Sequence, residues 1–387
     1  MKIRKAINTI ALTLVVCLCA SVALTGYALA ADNTSYTSVI ALEDIFTDRD
    51  LEQTADLTDA ITYTLSDGQD IRITEAGVYV ITGSASNVTV YVEAGDEDKV
   101  QLVLDDVSII NDDFPCIYVT SADKVFITTS ADSSLSVTGA FTADGETNTD
   151  GVIFSRSDLV LNGTAALTIS STDNGVVCKD DLKVTGGEYT VTAASKAFEA
   201  NDSIRVAGGV FTINAGTDGL HAENSDDDTL GYIYICGGEF TINAGDDAIH
   251  AVSAAQIDDG AFTISAAEGI EATYVQINGG TIDISSWDDG INGAQKSSAY
   301  WATIEFNGGY TTIVMSSGDT DGIDCNGYLY INGGTIDVTG TSSFDYDGAG
   351  QYNGGTIIVN GQQLSALPNQ MGMGGFGGRG GRGGWLG

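Results

Sequence analysis

Nine glycine marks recur along this chain, and each is followed by the same kind of short strand. They are Asn162-Gly163, Gly186-Gly187, Gly208-Gly209, Gly237-Gly238, Asp259-Gly260, Gly279-Gly280, Gly308-Gly309, Gly333-Gly334 and Gly354-Gly355. The second glycines are spaced 24, 22, 29, 22, 20, 29, 25 and 21 residues apart. A repeat of this length without helical periodicity predicts a β-solenoid, because no single unit can bury a hydrophobic face alone and each must stack on the next. Any residue type kept at one repeat position then becomes a stripe of that chemistry.

Two units show the pattern. Ile204-Arg-Val-Ala-Gly-Gly-Val-Phe-Thr-Ile-Asn-Ala-Gly-Thr-Asp-Gly-Leu-His-Ala222 aligns with Ile233-Tyr-Ile-Cys-Gly-Gly-Glu-Phe-Thr-Ile-Asn-Ala-Gly-Asp-Asp-Ala-Ile-His-Ala251. Each gives a strand, a glycine corner, a second strand, an acidic turn and a third short strand. The fold expected is all-β, a right-handed parallel β-helix of about nine to twelve coils with an N-terminal cap. Alternation assigns the faces. Tyr189, Phe211, Phe240 and Phe262 form an inward aromatic column, with Val191, Ile213, Ile242, Ile264, Ile284, Ile313 and Val338 in the next. Threonines between them face out. After the acidic turn, Val152, Val176, Phe198, Leu220, Ile249, Ile270, Ile291 and Ile323 point inward, followed two residues on by Phe154, Cys178, Ala200, Ala222, Ala251, Ala272, Gly293 and Cys325.

The ends read differently. Met1–Lys5 is basic, residues 6–23 are almost uncharged, and Ala28-Leu29-Ala30 is a small-x-small cleavage site, so residues 1–30 read as a secretory signal peptide. Residues 31–57 form a leader of little pattern, residues 58–362 the repeat domain, and residues 363–387 a flexible Gly/Arg-rich tail. Short strands are expected at 61–65, 71–73, 78–82, 88–92 and 100–104. Insertions at 223–231 and 294–301 lengthen two units and read as loops on one face. No later segment is apolar for long enough to span a bilayer. Cys116, Cys178, Cys236 and Cys325 lie outside the signal segment, without metal-ligand spacing, and read as buried single thiols.

The formal charge is −38. Such acidity argues against nucleic acid or an anionic membrane as a direct partner. It leaves room for acidic ligands bridged by a divalent metal.

The acids are not scattered. One turn position reads Asp150, Asn174, Lys196, Asp218, Asp247, Glu268, Asp289 and Asp321, and a second outward column reads Glu199, His221, His250, Glu271, Asn292 and Asp324. Asp246 and Asp288 add further acids. Carboxylates on repeats stacked ~4.8 Å apart repel one another unless a hard cation joins them. Calcium, with 6–8 oxygen ligands, fits that role. The expected Ca2+ ligands are Asp218, Asp246, Asp247, Glu268, Glu271, Asp288, Asp289, Asp321 and Asp324. Asp and Asn also occupy turns for conformational reasons alone. His221 and His250 stack one above the other and are candidate sugar contacts, together with Trp287, Tyr300 and Trp301.

In these features the chain resembles the bacterial carbohydrate-binding β-helix domain described for secreted pectin-binding proteins. The resemblance is carried by Lys99-Val-Gln-Leu-Val-Leu-Asp-Asp-Val-Ser-Ile109, by Asp123-Lys-Val-Phe-Ile-Thr128 and by Asp173-Asn-Gly-Val-Val-Cys-Lys-Asp-Asp-Leu-Lys-Val-Thr-Gly-Gly187, and spans roughly residues 60–360. It implies bound calcium and affinity for acidic plant polysaccharide, above all polygalacturonate, with cellulose-like chains as a second class. The unit at 195–202 departs from the family's acid-glycine turn. The function expected is therefore a secreted or cell-surface, non-catalytic binder of acidic polysaccharide such as that of the plant cell wall. Two alternatives stand beside it: a calcium-dependent pectate lyase with Lys196 as base, and a structural surface adhesin.

Overall fold

The computed structural model describes residues 36–43, 45–317 and 320–368. The signal segment, the first residues of the leader and most of the tail lie outside these. Among the described residues the protein is all-β, with one four-residue helix at Asp48–Leu51.

The strands fall into three columns of parallel pairs. The first runs through Lys124–Thr129, Asp158–Gly163, Asp181–Val184 and Ser203–Val206, and continues to Thr303–Phe306 and Tyr328–Ile331. The second contains Ala166–Ser171, Glu188–Ala193, Val210–Ala215 and their successors to Thr356–Val359. The third contains Asn174–Cys178, Phe198–Ala200, Leu220–Ala222, Ile291–Gly293, Asp321–Cys325 and Ser342–Tyr346. Strands from Ile61 onward already pair in parallel, so the stack starts there. The last pairing, Thr356–Val359 with Gln362–Leu364, is antiparallel and turns the chain back on itself.

The glycine marks build the corner between the first and second columns. All nine second glycines have positive φ, from 76° at Gly334 to 137° at Gly260. An L side chain is strained there, and a Cβ on Gly309 would meet the Gly279 backbone at 2.8 Å. Glycine at this corner lets one repeat sit directly on the last.

Inside, the aromatic column stacks as expected: Phe211, Phe240 and Phe262 lie with ring centroids 4.5 and 4.6 Å apart and nearly parallel. Cys116, Cys178 and Cys325 are buried, whereas Cys236 is half-buried and departs from the expectation. One register is shifted. Ile153, not Val152, pairs with Val176, and Ser155, not Phe154, pairs with Cys178. Gly151 therefore takes the turn position expected of Asp150. Phe154 faces outward with Tyr118 and Val177 in a separate apolar cluster.

The leader is not patternless. Thr47 caps the short helix in a reciprocal box with Asp50. The segment then straps the first column from outside, running against the order of the repeats. Ser38 Oγ donates to Gln256 Oε1 (2.7 Å) and Val39 N to Gln276 Oε1 (3.1 Å), while Gln53 reaches Thr185 O and Gly163 N far earlier in the stack. Asp50, fully buried, pairs with Lys183 (2.9 Å) and Lys124 (3.6 Å), which anchors the strap at its middle.

Candidate functional site

The acidic corner lies between the second and third columns. Its two outward positions stack in register: Val177, Glu199, His221, His250, Glu271, Asn292, Asp324 and Asp345 succeed one another along the third column. The turn position before them is tied across repeats, with Asp247 N donating to Asp218 Oδ1 (3.2 Å) and Asp321 N to Asp289 Oδ1 (3.1 Å). The sequence thus places Asp218, Asp247, Glu268, Glu271, Asp289, Asp321 and Asp324 on one stripe, as expected. Asp246 and Asp288 fall outside it as exposed side chains, each in the bend just before the stripe position.

The stripe divides electrostatically. In its first half Glu199, Asp218, Asp247 and Glu271 each meet a base. Glu199 is held by Lys179 (3.0 Å) and Lys196 (3.4 Å). His221 Nδ1 lies 2.8 Å from Asp218 Oδ2, and His250 Nδ1 lies 2.5 Å from Asp247 Oδ2 and 3.1 Å from Glu271 Oε2. Lys296, from the second insertion, reaches Glu271 at 2.8 Å. The two imidazoles stack with centroids 4.6 Å apart. Burial disfavours a charged imidazole, yet the bonds to Asp247 and Glu271 push His250 up to about 9, so it is a cation at neutral pH. Burial likewise acts to raise Glu271, but His250 and Lys296 hold it below the usual carboxylate range.

In the second half no base arrives. Among the described residues no Lys, Arg or His is within ion-pair distance of Asp289, Asp321, Asp324 or Asp345. Burial and the neighbouring Asp324, Asp288 and Asp321 push Asp289 up to about 7. Burial, Asp321, Asp345 and Asp347 push Asp324 up to about 6. Glu268 sits at the junction, raised to about 8 by burial and by Glu271 and Asp247. Ser342 Oγ donates to Asp321 Oδ1. This donor set is all oxygen and carries uncompensated charge, which suits a hard divalent cation. The compact group Asp247, His250 and Glu271, whose ligand atoms lie within 4.8 Å of one another, is instead neutralised by the protein itself.

The aromatic candidates separate too. Trp287, 48% exposed, stands beside the uncompensated half, and Trp301 is 77% exposed. Tyr300 is a correction. It is half-buried beneath the strap, its hydroxyl donating to Val39 O (3.2 Å) and its ring edge-on to Tyr274. The two insertions clasp each other, with Ser298 N and Oγ donating to the Asp228 carboxylate at 2.8 and 2.9 Å.

Two features went unread in the sequence. Asp345 extends the stripe one repeat further, signalled by Asp345-Tyr-Asp347 at the end of the last third-column strand. Asp158, Asp180 and Asp181 gather on another corner, where burial and the neighbouring acids raise Asp180 to about 6 while Arg205 and Lys124 partly compensate. Their signal was the Lys179-Asp-Asp181 and Asn201-Asp202 run that closes successive third-column strands.

The profile of the carbohydrate-binding domain-containing proteins matches residues 67–322, most of the stack of repeats and the stripe as far as Asp321. The chain belongs to this carbohydrate-binding domain family. A carbohydrate-binding domain-containing protein of Acetivibrio thermocellus is 33% identical over 130 residues, covering 32% of this chain and 46% of that protein. The chain thus spans about half the length of the curated relative it matches. A solved polysaccharide lyase-like protein from C. thermocellum, a gadolinium derivative, is 29% identical over 58% of this chain and 93% of that one, with a TM-score of 0.48.

Proposed function

We propose that this carbohydrate-binding domain is a secreted or cell-surface binder of acidic polysaccharide such as polygalacturonate, non-catalytic, and held to its ligand through calcium. In this reading the repeats wind as a right-handed parallel β-helix, and the three parallel columns with one glycine corner per repeat support that winding. The observation that carries the calcium is the second half of the stripe, Asp289, Asp321, Asp324 and Asp345, which no base pairs and in which burial and neighbouring acids raise the carboxyls of Asp289, Asp324 and Asp345. When bound there, calcium would supply a positive bridge between these carboxylates and uronate carboxylates. Asp289, Asp321 and Asp324 would hold it, and Trp287 offers a ring face for sugar beside them.

Lys196, the base a lyase reading needs, is instead engaged by Glu199 and lies in the self-neutralised half. The test is retention of the purified protein on immobilised polygalacturonate. Retention in calcium, loss on chelation and recovery on adding calcium back are expected, without release of unsaturated, ultraviolet-absorbing product. Retention indifferent to chelator would sink the calcium bridge, and accumulation of unsaturated product would establish a lyase.

A further inference from the structure

The glycine corner also carries chemistry. Four of its glycine pairs are preceded by asparagine: Asn278, Asn307, Asn332 and Asn353. Their amides form a continuous ladder, each Nδ2 donating to the Oδ1 one repeat back at 2.8 Å, from Asn353 to Asn332 to Asn307 to Asn278. Asn278 closes it by donating to Asp258 Oδ1 (2.7 Å). This corner is separated from the acidic stripe by the whole width of the second column.

A cleft of roughly 470 Å³ opens along the ladder. The repeats supply Asn307, Asn332, Asn353, Tyr274 and Glu305 to its lining, and the strap supplies Tyr36 and Thr37. Its volume lies within the usual range for small-ligand sites. Among the described residues Glu305 is the single charged group in the lining, and its oxygens are largely engaged: Oε2 accepts from Tyr274 Oη (2.8 Å) and Gln276 Nε2 (2.8 Å), and Oε1 from Asn332 Nδ2 (3.0 Å). Among the described residues no Lys, Arg or His lines the cleft. The ladder leaves capacity unspent. An amide nitrogen has two hydrogens, and Asn307, only 7% exposed, uses one of them in the ladder, as does Asn353, whose Oδ1 is also free of a ladder donor. Tyr36, 43% exposed, faces this row as an aromatic wall.

We propose that this cleft is a second carbohydrate subsite, independent of the metal, that takes neutral hexopyranose units. Uncharged hydroxyls both donate and accept, which matches a row of amides offering N–H and C=O together. The C–H face of a pyranose suits the Tyr36 ring. A uronate is excluded because its carboxylate would meet Glu305 with no base to compensate. The rungs repeat every ~4.8 Å, close to the advance of one sugar along an extended chain. The leader therefore completes a binding site besides fastening the stack.

The proposal rests on the carbohydrate-binding reading but on neither calcium nor an acidic ligand. The test uses the full chain in chelator, titrated calorimetrically with β-1,4-linked gluco-, galacto- and manno-oligosaccharides. Saturable binding to at least one is expected, weakened about tenfold by Tyr36→Ala and by Asn353→Ala, with the melting temperature and calcium-dependent polygalacturonate retention unchanged. Both side chains are exposed, so neither variant removes core. Should Asn353→Ala lower the melting temperature, Tyr36→Ala decides alone. Absence of binding to all three sugars, or affinity unmoved by Tyr36→Ala, overturns the proposal, and intact polygalacturonate retention in the same preparations would leave the acidic-ligand reading standing.

Discussion

From Glu199 to Glu271 the acidic corner carries its own cations, and from Asp289 to Asp345 it carries none. Parallel strand pairing runs on through both halves, so the difference lies in the basic side chains around the acids. Lys179 and Lys196 come from neighbouring turns, His221 and His250 from the stripe itself, and Lys296 from an insertion. Salt bridges already satisfy the first half, so a metal there would have to displace a protein cation. In the second half the cost of stacked carboxylates is left for an ion to remove. An acidic stripe read from repeats alone looks uniform, and only the bases around it separate the self-neutralised half from the half where the proposed calcium would sit.

The largest expected effect follows from taking that ion away. Chelation at neutral pH should lower the melting temperature by about 5 °C, the order expected when a ligand well above its dissociation constant is lost. Asp289→Asn should shrink this calcium response while making the calcium-free protein more stable, because it deletes a repelling charge. Differential scanning calorimetry with and without calcium reads both signs, and a variant that loses stability equally in both buffers would break the contrast between the halves.

A smaller effect is expected in the first half. Glu271→Gln leaves His250 and Lys296 short of a carboxylate and should cost about 2 kcal/mol, between the costs of losing an exposed and a fully buried pair. Denaturant melts should give the same loss in calcium and in chelator. A loss appearing only in calcium would move the ion into this half.

The smallest effects are in the pH profile. Asp289, raised to about 7, binds its proton more tightly folded than unfolded. The stability it contributes is complete below about pH 4 and is lost as pH rises through about 7. His250, raised to about 9, contributes stability that is complete below about pH 6.5 and lost as pH rises through about 9. Calcium-free melts should therefore decline in two steps of about 1 kcal/mol each. Calcium should flatten the acid step alone, Asp289→Asn should shrink it to the share left by Asp324, and His250→Gln should shrink the alkaline one.

Much of this was legible in the chain. The glycine spacing located the corner, the alternation of Phe-Thr-Ile located the core, and the stripe followed from aligning on both. What failed did so for identifiable reasons. The one-residue shift at 150–155 came from a unit whose turn is lengthened by residues 139–149, so counting back from Asn174 gave Asp150 where Gly151 belongs. Tyr300 read as an exposed ring because its cover, Val39, lies more than 250 residues away in sequence. Lys296 was invisible as a counterion for a similar reason: it sits in a loop, and loop direction is set by the Ser298–Asp228 clasp and not by periodicity. The Asn-Gly-Gly run was in plain view, but its meaning needed the strap that closes the cleft.

That strap also orders events during synthesis. Repeats can add one after another as the chain emerges, since each strand finds its partner some two dozen residues behind. The partners of Val39 and Ile40 are Gln276 and Gln256, made more than 200 residues later. The first described segment to leave the ribosome is therefore among the last to find its place, and a chain halted before the later repeats would hold a finished stack of early coils with its leader still unmoored.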